Sequence, residues 1–111
     1  MTVVCLVCHK EGSFSSCLAK GHSGYGSKGS DILCAAISVL LRTTAQVLIE
    51  SFGEDVEYDA STCGSFSLAM KKKLQVGSDK LVYAADFLRS GFKSLQQEFP
   101  KHILLKEEII D

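Results

Sequence analysis

The sequence lacks an excess of charge of either sign. Twelve Lys+Arg stand against thirteen Asp+Glu, for a formal net charge of −1, so it carries no electrostatic footprint for nucleic acid. A long hydrophobic run is missing too. The longest, Ile32 to Leu41, contains Ser38 and ends at Arg42, well short of the ~20 residues that span a bilayer. The opening Met1-Thr2-Val3-Val4 has no basic segment of the kind that begins a secretory signal. Internal repeats and low-complexity segments are absent, and proline occurs once, at Pro100. These absences lead us to expect a cytoplasmic protein with no membrane partner and no direct nucleic-acid partner.

What is present suits a single domain over residues 1–111, since natural domains cluster near ~100–150 residues. A chain that is 46% hydrophobic and 23% charged is not a disordered one. The five cysteines, Cys5, Cys8, Cys17, Cys34 and Cys63, are odd in number and do not fall into a set of paired spacings. Without an export signal they read as free thiols in a reducing compartment, most of them packed as small core hydrophobes.

Along the chain, Val3 to Cys8 is a β-branched-rich run closed by the turn signal Glu11-Gly12. It predicts a strand buried on both faces, with a second strand around Phe14 to Lys20. Gly21, Gly24, Gly26 and Gly29 then crowd one loop. Ser30 and Asp31 mark a helix start, either able to cap it, and the helix runs from about Ile32 to Phe52, stopping at Gly53. Its first ten residues are apolar nearly all round; such a helix must be covered on all sides, and a partner subunit is a reasonable cover. Residues 54–59 and 65–70 read as a hairpin. Leu81, Ala85, Leu88, Phe92, Leu95 and Phe99 give one face of a second helix starting near Ser78 and stopped by Pro100. A short last strand fits His102 to Lys106. The expected fold is α+β: a largely antiparallel sheet with two helices, in the order β-β-α-β-β-α with a possible short terminal strand.

Some patterns are decoys. Cys5-Leu6-Val7-Cys8-His9 matches a haem-attachment motif, and adding Cys17 and His22 makes a nominal zinc set. Residues three apart on a strand point to opposite faces, however, and there is no second Cys-x-x-Cys. Gly21 to Gly26 has the glycine spacing of a phosphate loop, but Ser27-Lys28 inverts the Lys-Ser order that such a loop requires. Lys71-Lys72-Lys73 reads as a solvated strand end. His102, near Pro100, is assigned no role.

The chemistry concentrates around the glycine loop. His22 stands at one end and Asp31-Ile32-Leu33-Cys34 at the other, with Cys34 in the first turn of the helix. An ordinary thiol is only slightly ionised near neutrality. The unpaired amides and dipole of a helix N-terminus favour the thiolate, and a nearby imidazolium favours it further. The same amides can donate to an oxyanion on an attacked carbonyl, while His22 supplies the general base and acid. The bland alternative is a Cys34 that only packs and a His22 that only sits on a surface loop.

Residues 21–38, GHSGYGSKGSDILCAAIS, resemble the signature of the ribosomal-processing cysteine protease family, Prp. That signature is Gly-His-Ala, a glycine-containing loop, Asp-Ile-Val-Cys-Ala and a Ser shortly after. Ser23 and Leu33 depart from it conservatively. The resemblance implies a cytoplasmic, homodimeric cysteine protease that trims the N-terminal extension of a bacterial large-subunit ribosomal protein of the L-twenty-seven type. Cys34 matches the family nucleophile and His22 its histidine. By the same resemblance, Gly21, Ser23, Gly24, Gly26 and Gly29 fall on the segment expected to order around the substrate peptide. Asp31 either caps the helix or orients His22, or does both. Ser38, one turn beyond Cys34, either hydrogen-bonds near the thiol or bonds back to the helix. No metal and no cofactor is called for. The alternative function is a non-enzymatic, dimeric ribosome-associated module with a structural Cys34. A redox-sensing thiol is weaker, because no second cysteine lies near position 34 in the sequence.

Overall fold

Alternating burial along the first strand sets the architecture. In β1 (Thr2–His9), Val4, Leu6 and Cys8 are buried while Val3, Cys5 and Val7 are half-buried. The expectation of burial on both faces is therefore corrected: only one face of the sheet is covered by helices, and period-two alternation follows. The structure, a computed structural model, describes residues 1–21, 32–61, 64–74 and 78–111.

β1 forms an antiparallel hairpin with β2 (Phe14–Lys20), which pairs with β4 (Ser65–Met70), which pairs with β3 (Val56–Asp59). On the other side β5 (Ile103–Ile110) lies parallel to β1, giving the order β3-β4-β2-β1-β5. The terminal strand is thus eight residues long rather than short. Glu107 and Glu108 interrupt its apolar pattern, and an edge strand tolerates them because one side faces water; Glu107 also accepts a bond from Arg89 Nε at 2.6 Å.

Helix α1 (Ile32–Phe52) turns Leu33, Ile37, Leu41, Thr44, Ala45 and Leu48 onto the sheet. By length and composition alone it could cross a bilayer, yet this buried face closes the core. It stops at Gly53, whose φ of +54° ends the helix in the left-handed region as the sequence predicts. Helix α2 (Asp79–Glu98) buries Leu81, Ala85, Leu88 and Phe92, four of the six positions expected on its face.

The two helices lie antiparallel. Leu40 packs so tightly on Gly91 that a Cβ there would sit 2.9 Å from Leu40 Cδ2, and at the far end Lys80 donates to Ser51 Oγ at 2.6 Å. The start of α1 therefore lies beside the end of α2. The chain then turns through Pro100 into β5, whose first residue pairs with Thr2. This end of the molecule also holds the end of β2, the end of β3 and the start of β4.

Candidate active site

Cys34 occupies the first turn of α1 and is half-buried. Its neighbour Leu33 is fully buried and anchors the turn. With ~100° per residue, Cys34 then emerges on the flank of the core-facing stripe, and Ser38, also half-buried, follows one turn later on the same flank. Ala36 and Leu40, on the opposite flank, line the shallow apolar groove shared with Gly91, Ser94 and Leu95 of α2. The Cys34–Ser38 flank consequently looks away from α2, on the side where α1 meets β3 and β4.

The other described cysteines occupy different environments. Burial pushes the Cys17 thiol up to about 12. Cys8 is also raised by burial, although Arg89 opposes this, with Nη2 donating to Cys8 Sγ at 3.6 Å. Buried thiols with raised pKa values are inert. Cys5 lies on the open face of the sheet and Cys8 on the covered one, which rules out a shared ligand through the Cys-x-x-Cys spacing. Among the described residues no cluster of three or more His, Cys, Asp or Glu could hold a metal ion.

Gly21 ends β2 under tight constraint. Its φ is +110°, its N–H donates to the carbonyl of Gly64 at 2.8 Å, and a Cβ there would lie 2.6 Å from the Met1 carbonyl oxygen. Gly64 is itself at φ +77°. Its only signal is a glycine in a hairpin turn, and its contact with Gly21 exists because β2 and β4 pair. His22, Ser23, Gly24, Gly26, Gly29 and Asp31 lie outside the described residues, as does Cys63. Two further polar groups sit at this end of the sheet. The His102 carbonyl accepts the Thr2 N–H at 2.9 Å. Asp59, held below its ordinary carboxylate range by the hydroxyl and amide of Ser61, closes β3.

What is assembled here is a half-buried thiol at a helix N-terminus, with the exit of β2 fixed at the same end of the sheet. Solved structures share the fold. The ribosomal processing protease Prp from S. aureus, in complex with a covalently linked product peptide, superposes with a TM-score of 0.79 at 23% identity, covering 97% of this chain and 100% of that one. SMU.848 from Streptococcus mutans gives a TM-score of 0.79 at 21% identity over 99% and 96% of the two chains. The S. aureus protease with a substrate peptide gives 0.67 at 20% identity, over 97% and 100%. Comparison with curated proteins finds no match. The sequence profile of the family described as cysteine protease Prp matches residues 1–104. Nearly the whole chain, including the thiol and its helix, falls under that description: it belongs to the cysteine protease Prp family and is a cysteine protease.

Proposed function

We propose that this protease removes the N-terminal extension of a large-subunit ribosomal protein of the L-twenty-seven type, through a thioester on Cys34. The observation that carries the reading is the half-buried Cys34 in the first turn of α1, on the flank facing away from α2. His22 takes the thiol proton, or holds it in an ion pair with the thiolate. The sulfur then attacks the scissile carbonyl, and amides of the helix N-terminus receive the oxyanion. The imidazolium protonates the departing amine, and water resolves the acyl-enzyme. Asp31 and Ser38 support the dyad, and the loop bearing Gly21, Ser23, Gly24, Gly26 and Gly29 closes on the peptide. The S. aureus protease, which carries a covalently linked product peptide in one structure and a substrate peptide in another, supports a peptide as the ligand. The protein acts in the cytoplasm as a homodimer.

The test is direct. Wild type and Cys34→Ala are incubated with the ribosomal protein from the same organism, and chain length is followed by mass. Shortening by wild type alone is expected, with a loss of at least ~10³-fold in the variant, as for other groups acting in one catalytic unit. No shortening by either folded protein would overturn the assignment of this ribosomal protein as the substrate.

A further inference from the structure

We propose that Gly21 is a positioning residue for catalysis: its left-handed backbone, locked between the Met1 and Gly64 carbonyls, sets the direction in which the chain leaves β2 and so where the side chain of the next residue can reach. This rests on the reading of His22 as the imidazole of the dyad, since His22 is joined directly to Gly21.

Three observations converge on this glycine. Its φ of +110° lies outside the conformations that L-residues readily adopt. The position a side chain would take is filled by backbone: Met1 O at 2.6 Å and Thr2 Cα at 3.5 Å. That backbone cannot readily step aside, because the same Met1–Thr2 peptide donates its N–H to His102 O at 2.9 Å and opens β1 in the ladder with β5. On the other side, the Gly21 N–H is held by Gly64 O at 2.8 Å. Any L-residue here must rotate φ away from +110° and move off the Met1 carbonyl, breaking this exit geometry and swinging the following residue. A dyad tolerates little of that, because a misplacement of ~1 Å costs ~10²-fold in rate.

The experiment compares Gly21→Ala, His22→Ala and Gly12→Ala. Gly12 also has a positive φ (+99°), but nothing stands within 4 Å of its Cβ position, and it lies at the other end of β2. It controls for generic strain. Cleavage of the ribosomal protein and the pH profile of Cys34 alkylation by iodoacetamide are both read. Gly21→Ala should lose ~10²-fold in kcat/KM, and its alkylation profile should move toward that of a free thiol, as in His22→Ala. Gly12→Ala should soften the thermal melt and leave both unchanged. Rescue supplies the second arm. Joining a synthetic 1–33 thioester to residues 34–111, which begin with Cys34, allows D-alanine at position 21, and D-alanine accepts a positive φ. Its methyl also replaces the other α-hydrogen, not the one facing Met1. Restored cleavage and a restored profile are expected. The inference is overturned if Gly21→Ala behaves like Gly12→Ala, or if the folded D-alanine protein is as impaired as the L-alanine one while the ligated glycine control is active. If His22→Ala alters neither readout, the dyad reading itself falls and this inference falls with it.

Discussion

At the scale of single residues, the thiols divide by environment. Cys17 keeps its proton to about 12 in the folded chain because burial penalises the anion, against an ordinary value of 9.0. Above pH 9 the unfolded state therefore binds fewer protons than the folded one. Stability is intact below that point and is lost as pH rises toward 12. At pH 10.5 this amounts to roughly 2 kcal/mol from Cys17 alone. Urea denaturation of wild type and Cys17→Ala at pH 8 and pH 10.5 checks it: the alkaline loss should shrink by about that amount in the variant, and an undiminished loss would refute the assignment. The place of Cys34 in the first turn of a helix was legible in the sequence, because Ser30-Asp31 followed by the apolar run marks where α1 begins. Gly64 was not, since its bond to Gly21 is created by strand pairing between segments distant in the chain.

Among the elements, the helices were legible throughout and the last strand only in part. The leucine and phenylalanine spacing of α2 and the glycine after α1 encode local geometry, which periodicity reports directly. β5 takes its extent from tertiary contacts. Gln96 Oε1 on α2 accepts the Leu105 N–H at 2.6 Å, and Ile103 N–H bonds to Phe99 O at 3.3 Å. These bonds occupy edge amides that would otherwise face water or another chain. Gln96→Leu should therefore cost about 1–2 kcal/mol in a denaturant melt, whereas Gln96→Glu, which keeps an acceptor oxygen, should cost less. Equal losses would mean that Gln96 contributes only packing. The two-faced burial expected of β1 failed for a related reason: apolar composition does not tell how many faces a neighbour covers.

The whole molecule is a two-layer sandwich with apolar surface left over on both outer faces. On the helical layer, Ile32, Val39 and Val47 of α1 and Tyr83 and Phe87 of α2 are exposed, and Val47, Tyr83 and Phe87 line a hollow of about 260 Å³. On the sheet side, Leu18 and Leu104 are exposed. The proposed homodimer follows most simply from the helical layer, because a two-fold pairing of α1 covers the stripe that the sheet cannot reach, and a stable interface needs ~1,200–2,000 Å² in total. Sedimentation at tens of micromolar should give a species of twice the 12.0 kDa chain mass. The double variant Val39→Lys/Val47→Lys should sediment as a folded monomer, because these side chains are 49% and 46% exposed in the single chain, and its melt should fall only by the stabilisation that the partner subunit lends the wild type. Dissociation by Leu18→Lys instead would move the interface to the open face of the sheet, and a monomeric wild type would end the dimer reading altogether.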